Sequence, residues 1–255
     1  MSVSFDLSGQ NAFVTGCTSG LGRRMAIALA SAGAQVTVTG RREERLAELV
    51  AEIDAMGGVA RARALDVTDE QDLAKAMDEA EEASGPLSIL VNNAGVSSYK
   101  GVLDYDGAEF DFVMDVNTKA MFIASVLAAR RMIASKTEGK IVSVSSIGAE
   151  NVLRGNTVYC MSKAAVKMMT ESLSRDFARY GINVNAIAPG YIETELNEKW
   201  FASDGGQKQI NGFPRRRLGY PDDLDGALLL LTSEAGRFIS GSTITVDDAQ
   251  SKQGF

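Results

Sequence analysis

Apolar residues fall along this chain in two alternating kinds of run. Short, nearly continuous stretches at 12–15, 35–39, 60–65, 88–92, 140–144, 182–188 and 243–246 have the length and β-branched content of buried strands. Longer segments near 21–32, 43–56, 69–84, 108–135, 158–180 and 221–234 carry apolar positions three and four residues apart, the spacing of one helix face. Thr68 and Pro221 stand where helices begin. Seven strands alternating with helices predict parallel pairing through right-handed crossovers, hence an α/β fold in which one doubly wound sheet is covered by helices on both faces. The four prolines are scattered and no repeat or linker interrupts the pattern, so a single domain over 1–255 is expected. Sheets of this kind take ligands beyond the carboxyl ends of their strands.

Composition removes several classes of function. With 45% hydrophobic and 23% charged residues over 255 positions, the chain has core enough to fold and is not a disordered segment. Its 26 basic and 33 acidic residues give a net charge of −7, the wrong sign for general binding to nucleic acid or to an anionic membrane. No run approaches the roughly 18 apolar residues of a membrane span. The opening MSVSFDLSGQ lacks the charged and apolar regions of a secretory signal, so the cytoplasm is the expected compartment. Cys17 and Cys160 are too few for a disulfide framework and are expected as thiols. Histidine is absent altogether. That excludes Ser-His-Asp hydrolysis and His-ligated metal sites, predicts no catalytic metal, and leaves proton transfer to Tyr, Lys, Ser, Asp or Glu.

Three patterns lie at the predicted strand ends. After the first strand, Thr15-Gly16-Cys17-Thr18-Ser19-Gly20-Leu21-Gly22 runs directly into a helix. Glycines there allow close backbone approach, and the helix start offers free N–H groups to a pyrophosphate; the spacing differs from the usual dinucleotide fingerprint, and alone it is equally compatible with a plain turn. The second strand ends at Gly40-Arg41-Arg42, where dinucleotide folds meet the adenosine ribose. With no acid for a 2′-hydroxyl and two guanidinium groups suited to a 2′-phosphate, NADP is preferred over NAD; the alternative is a solvated start to the charged helix that follows. Asp66 and Val67 end the third strand within reach of an adenine edge. Finally, Tyr159 and Lys163 are one helical turn apart. An ammonium beside a phenol favours the phenolate and makes proton exchange near neutral pH accessible. Strand 140–144 delivers the hydroxyls of Ser145 and Ser146 to the same edge.

These motifs, together with Asn92-Asn93-Ala94-Gly95, Asn117 and Pro189-Gly190-Tyr191-Ile192-Glu193-Thr194, make the chain resemble a classical short-chain dehydrogenase/reductase over nearly its whole length. The resemblance implies a Rossmann-like domain holding NAD(P), a carbonyl or alcohol substrate and a homo-oligomer, a tetramer or a dimer. It implies a tetrad of Asn117, Ser146, Tyr159 and Lys163. Tyr159 would trade the proton, Ser146 would orient the substrate oxygen, Lys163 would act on the tyrosine and the nicotinamide ribose, and Asn117 would hold a water. Asn93, with Ala94 and Gly95, would meet the adenosine side of the cofactor; Pro189, Gly190, Ile192 and Thr194 would flank its carboxamide.

One departure concerns the last strand, which ends Val246-Asp247-Asp248-Ala249 where the family commonly has V-D-G-G. The long segment 193–218, with Trp200, Phe201 and Phe213, is expected to form a lid over the substrate, the alternative being surface helices that use these rings as core. Arg215-Arg216-Arg217 is expected as a solvated loop or an intersubunit ion pair. The stretch 150–156 would form the opposite wall, mixing polar and apolar groups. The run 188–196 with Gly40-Arg41 is similar to the gluconate 5-dehydrogenase-like branch, while 3-oxoacyl carrier-protein reductases share many of the same motifs.

Overall fold

A computed structural model describes residues 4–98, 100–195 and 197–252; Leu196 of the loop run above lies outside the described residues. Among these, strands β1 (Asn11–Val14), β2 (Gln35–Gly40), β3 (Val59–Ala64), β4 (Leu87–Asn92), β5 (Lys140–Val144), β6 (Asn183–Pro189) and β7 (Thr243–Val246) form one parallel sheet in the order β3-β2-β1-β4-β5-β6-β7. The predicted strands are all present, with ends displaced by one residue. Central strands β1, β4 and β5 are buried along their whole length, as a sheet covered on both faces requires, whereas only Ala60 of edge strand β3 is buried.

Alternation along each strand divides the core in two. Ala12, Val14, Ile89, Val91, Val142 and Val144 face helices α1 (Gly20–Ser31), α2 (Glu43–Ala55) and the later α9 (Asp225–Thr232). Phe13, Leu90, Ile141 and Val184 face α3 (Glu70–Ser84), α5 (Ala120–Ser135) and α6 (Thr157–Phe177). Strand order reverses between β1 and β4, so the crevice at their carboxyl ends lies at the switch point.

The helix expected as one piece over 108–135 is interrupted. Helix α4 (Gly107–Met114) passes into a π turn at Asp115–Lys119 before α5 begins. Such single wide turns are common at functional sites, and this one contains Asn117. An 18-residue window within the 29-residue helical run Gly107–Ser135 reaches a mean hydropathy of 1.4, enough by length and composition alone to cross a membrane, although charged side chains leave no unbroken apolar run of that length. Here it is a layer of the domain: Ala124, Leu127, Ala128, Ala129 and Met132 pack into the core beneath β4. The segment 193–218 holds two short helices, α7 (Glu198–Phe201) and α8 (Asp204–Asn211).

Beyond β7, Asp248 and Ala249 take φ of +49° and +64°. The turn that a glycine pair would make without strain is kept by two residues that rarely adopt it. Asp248 is partly compensated, since its carboxylate accepts from Arg217 Nε at 2.8 Å and faces Arg215 Nη1 at 3.4 Å. Two of the three consecutive arginines thereby pair with Asp248 within the chain while remaining largely exposed, as expected of a solvated loop. Ala249 has no such compensation: its backbone N–H donates to Asp247, but a methyl group gives nothing back for the left-handed backbone. Ala249→Gly should therefore raise unfolding stability by roughly 0.5–1 kcal/mol, read as an increased denaturant midpoint; an unchanged or lowered midpoint would contradict a strained turn.

Candidate active site

The carboxyl ends of β1, β2, β4, β5 and β6 open onto one cavity of about 1000 Å³, the upper end of the size range for small-ligand sites. At β1 the chain turns through Gly16, whose φ of +73° suits glycine and on which a Cβ would stand 2.8 Å from the Ala94 backbone. The loop then enters α1. No acidic residue occupies the first turn of α1, and its N-cap, Ser19, makes no capping bond. Elsewhere Asp69, Asp106 and Ser203 close the starts of α3, α4 and α8 with side-chain bonds. The start of α1 thus keeps its orphan donors and positive end beside cavity-lining Thr18, Ser19, Gly20 and Leu21. A diphosphate fits this cradle.

Asn93 braces the loop. Its Nδ2 donates to the carbonyls of Thr15 at 2.9 Å and Gly16 at 3.0 Å, and its N–H donates to Thr15 Oγ1. With Ala94 and Gly95 it lines the cavity, yet its amide is committed to the protein. Asn92 lies behind, donating to Ser125 Oγ and Ser143 Oγ and so tying β4 to α5 and β5.

Three of the expected site residues stand behind the cavity wall. Gly22 is a packing position, since a Cβ there would lie 2.3 Å from Asn93 Nδ2 and from Gly16 O. Arg42 reaches back to donate to Thr18 O, Thr18 Oγ1 and Ser19 Oγ and faces Glu195. It buttresses the glycine loop from outside, so Arg41 alone of the pair lines the cavity. Asn117 is the third. Beside Arg41 lie Asp66 and Val67; the Asp66 carboxylate is held below its usual range by the Thr68 N–H and hydroxyl, with Arg41 adding to the effect.

At the other end, α6 presents Tyr159 in its first turn, on the cavity wall, and Lys163 one turn later. The Lys163 ammonium is buried, donates to Val144 O at 2.8 Å and lies 5.6 Å from the Tyr159 ring centre. Burial pushes it down to about 8 from its ordinary 10.5. Ser145 and Ser146 both reach the wall but differ in their bonds. Ser145 Oγ donates to Lys163 O, whereas Ser146 Oγ accepts from Gly148 N, a bond that does not use the Ser146 hydroxyl hydrogen. Asn117, fully buried in the π turn, accepts from Val96 N and donates to Val96 O and Ser162 Oγ. Both amide hydrogens are thereby taken within the protein.

The roof comes from Pro189, Gly190, Tyr191, Ile192 and Thr194, with Trp200, Phe201 and Gln209 beyond. Phe201 and Phe213 are core, packed on Tyr191 at ring separations of 5.9 and 5.3 Å. Trp200 is half exposed at the cavity, its Nε1 donating to Gln209 Oε1, while Phe201 and Phe213 serve as core, as the alternative for this segment expected. Gln250 went unnoticed in the sequence. Its buried amide accepts from Tyr191 N at 2.6 Å and donates to Arg217 O, and no pattern marks a lone polar residue beyond the last strand. Both cysteines are free; Cys17 donates to Val14 O and burial pushes its thiol up to about 12.

Comparison with known proteins agrees with this geometry. Residues 10–205 match the short chain dehydrogenase family. The chain is 34% identical to gluconate 5-dehydrogenase of Gluconobacter oxydans (strain 621H) over 95% of both proteins. It is equally, 34%, identical to the NAD-dependent glycerol dehydrogenase of Listeria innocua serovar 6a, over 95% of this chain and 94% of that one. Among solved structures, a gluconate 5-dehydrogenase from Burkholderia cenocepacia J2315 in complex with NADP and tartrate superposes with a TM-score of 0.91 at 34% identity, covering 97% of each chain.

Unfolded, Lys163 holds its proton up to about 10.5; folded and without cofactor, it releases the proton at about 8. The unfolded state therefore binds more protons between these values, and this group's contribution to stability grows as pH rises across that window. Unfolding free energies of the protein and of Lys163→Met should diverge in favour of the wild type by up to about 3 kcal/mol between pH 8 and 10.5. A difference that stays flat would mean the ammonium is not desolvated.

Proposed function

The chain belongs to the short chain dehydrogenase family and acts on CH–OH and C=O groups, and from that premise we propose that it transfers hydride between NADP(H) and a ketone or secondary alcohol of a sugar acid. The observation that carries this reading is the meeting of Tyr159, Ser146 and buried Lys163 on one wall of a cavity whose other end is the uncapped start of α1. A bound nicotinamide supplies the hydride in reduction and accepts it in oxidation.

The protein's own groups manage the oxygen. In reduction the Tyr159 hydroxyl passes its proton to the carbonyl oxygen while the carbonyl carbon gains hydride, leaving an alcohol and a phenolate. Ser146 donates to the same oxygen and fixes its position. The Lys163 ammonium, its position set by Val144 O, stabilises the phenolate and would hold the ribose of a bound nicotinamide nucleotide. Asn117 holds the β4 loop against Ser162 and so keeps α6 in register with the cofactor floor. Pro189, Gly190, Ile192 and Thr194 flank the nicotinamide end, and 193–218 closes over the substrate and excludes water. At the adenosine end, Arg41 beside a glycine-terminated β2 favours the 2′-phosphate. The NADP in the Burkholderia enzyme and the gluconate activity of the Gluconobacter relative support the cofactor and substrate class.

Tyr159→Phe should retain NADPH binding while ketone reduction falls by about 100-fold or more; wild-type turnover in that variant would falsify the proton-donor role. Arg41→Ala should weaken NADPH binding by roughly 1.5–3 kcal/mol, the scale of charged hydrogen bonds, with little change for NADH. Titration calorimetry with both nucleotides decides it, and equal losses would remove Arg41 from 2′-phosphate recognition.

A further inference from the structure

The cavity wall carries three cationic side chains, Arg41, Lys163 and Arg154. Arg41 stands by Asp66 at the adenosine end, and the Lys163 ammonium is held by Val144 O. Arg154 has neither a ligand role so far nor an ion-pair partner among the described residues. Other arginines, Arg23, Arg24, Arg45, Arg63 and Arg131 among them, each find a carboxylate, whereas Arg61, Arg130 and Arg175 share the unpaired state of Arg154 but lie away from the cavity lining.

Its place is also well defined. Arg154 lies between Ser146 and Tyr159 in the chain, and the loop is pinned on both sides of it. Upstream, Asn151 Nδ2 donates to Ile147 O, and Leu153 packs against Gly148, where a Cβ would stand 2.9 Å from Leu153 Cδ1. Downstream, Asn156 accepts from Ser97 Oγ at 3.1 Å and donates to the carbonyl of Arg154 itself. The backbone is thus tethered to the β4 loop and to the turn after β5, and Arg154 is an exposed residue of the cavity lining. Of the two acids on the wall, Asp66 is at the far end and Asp115 faces Lys119 at 3.3 Å, so neither neutralises this cation.

We propose that Arg154 is the specificity-determining residue for an acidic substrate, its guanidinium taking the substrate carboxylate in a paired hydrogen bond while the reacting carbonyl lies between Ser146 and Tyr159. This rests on the oxidoreductase reading above and adds to it which group recognises the acid. A planar fork of donors matches a carboxylate better than a lysine can, and a charge-assisted pair of hydrogen bonds is stronger than a neutral one.

The test compares 5-keto-D-gluconate with its uncharged carboxamide, using NADPH and three proteins: wild type, Arg154→Gln and Arg154→Lys. For the keto acid, kcat/KM should fall roughly 10- to 100-fold in Arg154→Gln and recover in part in Arg154→Lys. For the carboxamide it should be the same in all three, and NADPH affinity should not move. Tartrate binding to the NADP complex, followed by calorimetry, should weaken in Arg154→Gln by a similar factor. Equal losses on acid and carboxamide, or unchanged tartrate binding, would overturn the assignment. A wild type that reduces the carboxamide as well as the acid also overturns it while leaving the oxidoreductase reading standing. A wild type inactive on both compounds defeats that reading, and tartrate binding then still decides the role of Arg154.

Discussion

A single buried ammonium organises this molecule. Lys163 has one backbone carbonyl, Val144 O, as its protein acceptor at 2.8 Å, far less than water would give it, and burial pushes its proton affinity down accordingly. Such a group persists only where its surroundings are rigid. Ser145 Oγ donates to the Lys163 carbonyl, Asn117 ties Val96 to Ser162, and Ser162 Oγ donates to the Tyr159 carbonyl. These bonds lock the end of β5, the loop after β4 and the first two turns of α6 into one unit. Gly95 completes it, since a Cβ there would stand 3.3 Å from Asn117 Oδ1 and 3.6 Å from Lys163 Nζ. Tyr159 reaches the cavity from this block, and its place is fixed by the burial of its neighbour.

The opposite end of the cavity works by leaving donors unmet. Side chains close the starts of α3, α4 and α8, while α1, like α2, α6 and α7, has no side-chain cap, and the start of α1 opens onto the cavity. The cost of exposed N–H groups is small where solvent reaches them, and it turns into binding energy when an anion arrives. The loop must nevertheless hold its shape with the site unfilled. Asn93 from inside and Arg42 from outside supply that support, by bonding the carbonyls and hydroxyls of residues 15–19 and leaving the amides at the start of α1 open.

Strand positions were legible because a parallel sheet buried on both faces writes itself as short apolar runs, and the Tyr-Lys pair because helical spacing alone brings the two side chains to one face. The break in the helix at Asp115–Lys119 was not legible: composition there is ordinary, and the wide turn follows from the bonds Asn117 makes to Val96 and Ser162, both remote in sequence or across a helix gap. The division between Arg41 and Arg42 was hidden for a related reason. Successive residues leaving a strand point to opposite sides, so one of two identical side chains lines the cavity and the other braces the loop behind it. Asn93 and Gln250 show a third limit, since a short amide in a sequence does not reveal whether its partner will be a ligand or a backbone 59 residues away.

Charge brings the two ends together. A protein of net charge −7 opposes anionic ligands at long range, but at physiological ionic strength that field fades within about 8 Å. Inside the cavity the balance is local and of the other sign: the start of α1, Arg41, Lys163 and Arg154 stand against Asp66 and Asp115, each of the latter already engaged by Thr68 or Lys119. Affinity for an anion is therefore set by groups within bonding distance, and the acidic exterior serves solubility at little cost to binding. An elongated ligand with negative charge at its phosphates and at its far end would meet a cation or an open helix start at each of them, and would place its neutral centre beside the Ser146 and Tyr159 side chains on the cavity wall.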